Sequence, residues 1–178
     1  MIIAIGGKQR SGKTTVVNEL MKQVRNPDLW IIISTSDIVM QGVASKYQIS
    51  INELRANKDK HRAVLQEFSD NNPGYVLDEI LQLMTLYPDR NFIVDSVRRQ
   101  KEAETLAGFH ATFLLVTAPD ALRRERAGGV LTGSDHPTET EAFEFLYDHR
   151  DVYHVLNDTS LIAVGDRLRE VLGVEVVG

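Results

Sequence analysis

Apolar residues recur in two rhythms that alternate along the chain. Short runs at Met1 to Ile5, Trp30 to Ser34, Asn91 to Asp95, Thr112 to Thr117 and, more briefly, His154 to Leu156 have the length of strands. The Trp30 to Ser34 run is apolar almost throughout, which predicts a strand buried on both faces of a parallel sheet. Between the runs the spacing turns helical. Val16, Val17, Leu20, Met21 and Val24 mark a helix over Lys13 to Arg25, and Asn26-Pro27-Asp28 stops it. Three polar-rich segments, Ser36 to Ala44, Ser50 to Ala56 and Lys58 to Phe68, predict further helices. Pro73 suits the first turn of another, whose stripe of Val76, Leu77, Ile80, Leu81, Leu83 and Met84 runs to about Tyr87. Helices are also expected over Gln100 to Ala107, with Gly108 as C-cap, and from Pro119 to near Gly128-Gly129. Two more are expected, over Thr138 to His149 and Leu161 to Leu172. Strands alternating with helices imply right-handed crossovers. The expected fold is α/β, a doubly wound parallel sheet of about five strands flanked by helices, in a single domain over residues 1–178.

Composition narrows the function. With 178 residues, 43% of them hydrophobic and 25% charged, the chain suffices for one core of ordinary size. A formal net charge of -5 argues against a general nucleic-acid or anionic-membrane binder, so any phosphate site must be made by local charge. The absence of cysteine removes disulfides and thiolate metal sites. No apolar run approaches membrane-spanning length, and the first residues read as a strand instead of a cleavable leader. The expected location is therefore cytoplasmic, with no membrane partner.

One stretch carries explicit chemistry. Gly7-Lys8-Gln9-Arg10-Ser11-Gly12-Lys13-Thr14 fits G-x-x-x-x-G-K-[ST], lying between the first strand and the first helix, which is the context a P-loop requires. Gly7 and Gly12 permit a tight turn that presents backbone N–H groups to phosphate oxygens, and the helix adds its positive end. Lys13 would reach the β- and γ-phosphates and Thr14 would hold Mg²⁺. Arg10, Ser11 and Thr15 complete the expected ATP-binding set.

Phosphoryl transfer asks the protein for positioned cations, so arginines and acids at strand ends come next. Asp37, where the second strand opens into a helix, could accept a proton from a substrate hydroxyl or hold a water on Mg²⁺; an acid favoured by the helix dipole is the plain alternative. Asp95 ends the run Phe92-Ile93-Val94 as a Walker-B-type carboxylate and second Mg²⁺ candidate. Arg98, three residues on, suits bidentate clamping of an acceptor phosphate. Arg123 and Arg126 lead into a Gly-, Ser- and Pro-rich loop from Gly128 to Pro137, from which a lid arginine would come. Arg62 is a further candidate. His136 is expected to make a structural hydrogen bond.

These residues also resemble a family. The P-loop, His61 to Phe68, Asp95-Ser96-Val97-Arg98 with Glu102-Ala103-Glu104, Asp135-His136-Pro137-Thr138-Glu139, and Leu156-Asn157-Asp158-Thr159-Ser160 look like the ordered landmarks of phage-type deoxynucleoside monophosphate kinases. The resemblance implies a nucleoside monophosphate kinase fold, with an acceptor-binding helical region at about residues 36–87 and a lid at about 124–138. It implies Mg-ATP as donor, a small nucleotide as acceptor, and host cytoplasm if the protein is phage-encoded. A homodimer stays open. Ile33 to Asp37 is also similar to the acceptor region of adenylate kinases and to the acid-bearing strand end of dephospho-CoA kinases. An adenylate-kinase-type lid with its own arginine repeat is missing. A kinase for a hydroxymethylated pyrimidine within DNA, a dephospho-CoA kinase and a nucleotide-dependent switch remain alternatives.

Overall fold

A computed structural model of the chain describes residues 1–131, 136–148, 152–158 and 161–173. Its strands are β1 (Ile2–Gly6), β2 (Trp30–Ser34), β3 (Asn91–Asp95), β4 (Thr112–Thr117) and β5 (Val152–Leu156). The helices are α1 (Lys13–Gln23), α2 (Thr35–Tyr47), α3 (Ile51–Ala56), α4 (Arg62–Asn71), α5 (Tyr75–Leu86), α6 (Gln100–Gly108), α7 (Asp120–Arg126), α8 (Pro137–Asp148) and α9 (Leu161–Leu172). The strands form one parallel sheet in the order β2-β3-β1-β4-β5, as expected for a doubly wound α/β protein. No helix of the described residues is long and apolar enough to cross a membrane.

Alternation along the strands splits the core in two. Ile3, Ile5, Ile93, Leu114, Val116 and Val155 face α1 and α9, whereas Ala4, Phe92, Val94, Phe113 and Leu115 face a layer that includes α2, α4, α5, α6 and α8. Full burial of such side chains contributes ~1.5–3 kcal/mol each, so the central strands are rigid and their carboxyl ends are fixed platforms. β1 lies between β3 and β4, and the chain leaves it to opposite sides. This is the switch point beyond whose strand ends ligands bind in open α/β sheets.

Three expectations are corrected in detail. β2 is an edge strand, pairing only with β3, so Ile33 is buried while Ile32 is 46% exposed. The helix expected from Lys58 begins at Arg62, because residues 58–61 turn first. Gly108 is inside α6 and does not act as its left-handed cap. His110 takes that conformation (φ 56), with Ala111 N–H donating to Leu106 O at 3.1 Å. Of the expected lid loop, residues 132–135 lie outside the described residues, as does His149.

Candidate nucleotide-binding cleft

The chain leaves β1 through Gly7 (φ 143) and enters α1 through Gly12 (φ 92), both in backbone regions that side chains rarely adopt. A Cβ at Gly7 would strike the Val116 carbonyl, and one at Gly12 the Asn157 amide. The loop is thus held from outside. Asn157, buried just past β5, donates its side-chain amide to Ser11 O at 3.0 Å, and its own N–H goes to Thr117 O at 2.8 Å. The Ser11 hydroxyl is buried without a hydrogen-bond partner among the described residues, the kind of orphan that a phosphate oxygen would satisfy. Thr14 is exposed at the start of α1 and Thr15 half-buried behind it.

Beyond the loop opens a cleft of about 720 Å³. Gly12, Lys13, Thr14, Asp95, Arg98 and Arg126 all stand on its wall, so elements more than a hundred residues apart converge there. The Lys13 ammonium folds back onto the loop, donating to Gly7 O at 2.7 Å and Lys8 O at 3.1 Å. Burial, helped by the nearby Arg98 cation, lowers its pKa to about 8, partly offset by Glu139 and Asp95. Arg10 (φ 61) reaches across the mouth to Asp59, with Nη2 3.2 Å from Oδ2.

Arg98 is aimed by the turn after β3. Ser96 adopts a left-handed conformation (φ 70), a strain of roughly 1–2 kcal/mol for a residue with a Cβ. Thr35 Oγ1 donates to Ser96 O at 2.7 Å, and Val97 N–H to Ile5 O at 2.9 Å. The buried Glu102 carboxylate then accepts the N–H groups of Arg98 (2.8 Å) and Arg99 (3.2 Å). Burial raises the Glu102 pKa against the opposing pull of those bonds. Asp95 itself accepts the Ser96 hydroxyl at 3.1 Å.

The structure separates the remaining candidates. Arg123 is 5% exposed and turned away from the cleft, donating Nε to Gln9 O at 2.8 Å and Nη1 to Asp120 at 2.6 Å. Arg126 lies on the cleft wall, its guanidinium touching Arg10 O, Ser11 O and Asn157 O at 3.2–3.4 Å. Asp37 sits in the first turn of α2, its N–H capped by Ser34 Oγ at 3.2 Å, and its carboxylate pairs with Arg55 at 3.3 Å. Ser36, next to it, reaches the cleft. His136 makes the structural contact expected, to Asp70 at 3.0 Å.

Sequence reasoning assigned no role to Lys58, Glu139 and Asn157, which the fold brings here beside the candidate Arg62. Lys58, Arg62 and Glu139 line both the cleft and an adjoining pocket of about 50 Å³ between α2 and α4; Asn157 locks the P-loop. Lys58 has its pKa lowered by burial and then by Arg98 and Arg62. Glu139 and Asn157 stood in recognisable runs, but nothing local shows that either reaches residues so distant in sequence.

A family model described as an AAA domain matches residues 3–130. Among solved structures, TT1252 from Thermus thermophilus is 17% identical, covering 100% of this chain and 98% of its own, with a TM-score of 0.61. An unliganded sugar kinase from Janibacter sp. HTCC2649 is 13% identical, covering 97% and 94%, with a TM-score of 0.56. At these identities the likeness is one of fold. No curated protein matches the sequence.

Proposed function

The chain belongs to the AAA domain family, and from the way its P-loop shares one cleft with a second set of cations we propose that it moves the γ-phosphoryl group of Mg-ATP to a (deoxy)nucleoside monophosphate. The carrying observation is that two-ended charge: Lys13 and the loop at one end, and Arg98, Arg62 and Lys58 toward the helical region at the other. Such an arrangement can hold a donor and an anionic acceptor together, which is most of what phosphoryl transfer requires.

An acceptor phosphate oxygen attacks the γ-phosphorus while the bond to the β,γ-bridging oxygen breaks, giving ADP and a nucleoside diphosphate. The attacking oxygen is already anionic, so no base is needed. Lys13 leaves the carbonyls of Gly7 and Lys8 for the β- and γ-oxygens, Arg98 orients the acceptor, and Arg126 closes the cage from the P-loop side. Mg²⁺ arriving with the nucleotide would neutralise charge on the phosphates. The Thr14 hydroxyl and Asp95 carboxylate on the cleft wall are the hard oxygen donors that suit it, directly or through water. No three His, Cys, Asp or Glu side chains cluster as a metal cage among the described residues. The runs that resemble the ordered landmarks of phage-type kinases favour a deoxynucleotide acceptor.

A hydroxyl acceptor is the second reading. It needs a base, and Asp37 stands beside Ser36 on the acceptor side; one structural neighbour is named a sugar kinase. Dephospho-CoA and hydroxymethylated pyrimidine in DNA fall in this class. DNA would require a track of cations that neutralises successive phosphates, which this chain of net charge -5 does not carry as a block of sequence. Labelled ATP incubated with each common mononucleotide, dephospho-CoA and hydroxymethylated duplex DNA decides between them. Diphosphate formation from at least one mononucleotide is expected, with Lys13→Ala reducing it at least about 100-fold. Transfer to the DNA or to dephospho-CoA alone would establish the second reading, and ATP turnover indifferent to every acceptor would indicate a switch.

A further inference from the structure

Glu139 is a buried anion that two arginines approach. It is 6% exposed, at the first turn of α8, with its N–H held by His136 O at 2.8 Å. Its Oε1 lies 2.5 Å from Arg98 Nη1 and 3.7 Å from Arg62 Nη1. Burial alone would push its pKa up, but Arg98, Lys13 and Arg62 together hold it below the usual carboxylate range. The cations that would receive a phosphoryl acceptor are therefore gathered around a carboxylate of the chain itself.

We propose that the Glu139 carboxylate is a built-in stand-in for the acceptor's phosphate, filling the Arg98–Arg62 anion subsite in the substrate-free protein and leaving it when a phosphate monoester arrives. This rests on the phosphotransferase reading and names the residue that gates its acceptor site. A carboxylate and a phosphate present similar pairs of oxygens to a guanidinium, so one can replace the other without moving the arginines. Glu139 lines both the 720 Å³ cleft and the 50 Å³ pocket. Its withdrawal would join the two and leave the acceptor's body room between Val39 and Leu65. The other pairs fastening this end of α8, Arg99 with Glu141 and His136 with Asp70, involve half-exposed carboxylates and resist movement little. A stand-in also keeps the cations assembled, so the incoming acceptor meets a formed site.

The test is calorimetric titration with inorganic phosphate, with thermal denaturation to verify folding. If Glu139 fills the subsite about 90–99% of the time, Glu139→Gln should bind phosphate about 10- to 100-fold more tightly than the wild type. Glu139→Asp, one methylene too short to reach Arg98 in place, should show an intermediate gain with its charge kept, and it carries the test should Glu139→Gln fail to fold. Adding Arg98→Ala to Glu139→Gln should abolish the gain. Unchanged phosphate affinity in a folded Glu139→Gln or Glu139→Asp protein overturns the proposal, as does a gain that survives Arg98→Ala and so belongs to the P-loop. These measurements use no nucleotide, so they fail or succeed separately from the acceptor screen.

Discussion

Arg123 and Arg126 stand one helical turn apart on α7 with opposite surroundings, so replacing each by methionine should break different things. Arg123 lends a charged hydrogen bond to the Gln9 carbonyl inside the P-loop, worth ~1.5–3 kcal/mol when removed. Its ion pair with Asp120, a residue whose side chain is 74% exposed, adds about 0–1 kcal/mol. Methionine retains most of the apolar stem, so the packing loss is small. Arg123→Met should therefore cost about 2–3 kcal/mol, a fall in Tm of roughly 5–10 °C for a chain of this size. Arg126 makes longer, partly exposed contacts to three carbonyls, and Arg126→Met should cost less than about 1.5 kcal/mol. If it meets the transferring phosphoryl group, its loss should instead lower kcat by about two orders of magnitude. Thermal denaturation and steady-state phosphoryl transfer, run on both variants, give the comparison. Normal turnover in Arg126→Met, or an unmoved Tm in Arg123→Met, would refute this division of labour.

The Lys13 pKa of about 8 gives two further expectations. kcat/KM for ATP, which reports the free enzyme, should fall above pH about 8, while kcat should hold to higher pH because bound phosphates favour the ammonium; a kcat/KM flat to pH 10 would contradict the assignment. Between about pH 8 and the unfolded value of 10.5 the unfolded chain binds more protons at this group, so its contribution to stability rises with pH there. Comparing urea midpoints of wild type and Lys13→Met across that window should show the rise in the wild type alone. Arg98→Lys should not restore acceptor use, since an ammonium lacks the planar fork: kcat/KM for the acceptor should drop about 100-fold with ATP affinity nearly unchanged. Equal losses for both substrates would place Arg98 at the donor instead.

What could be read from the sequence was whatever depends on near neighbours. The P-loop is contiguous, so Gly7, Gly12, Lys13 and Thr14 announced both the turn and the phosphate it suits; strands followed from short apolar runs and helices from a period of 3.6 residues, which only near positions are needed to define. Asp95 and Arg98 were legible because a strand end fixes which end of the sheet its next residues occupy. Lateral order was not legible. An apolar run such as Trp30 to Ser34 records no neighbour, and only the sheet order made β2 an edge and exposed Ile32. Nor does helical spacing say where a cation points: the Leu122 to Arg126 run offered Arg123 and Arg126 alike, and packing against Gln9 turned one inward while the other stayed on the cleft. The meeting of Glu139 with Arg62 and Arg98, and of Asn157 with Ser11, joins residues 41 to 146 positions apart. The sequence by itself determined the local geometry that binds phosphate; the tertiary structure decided which charges share that cleft, because electrostatic interaction depends on distance through space, which chain position does not supply.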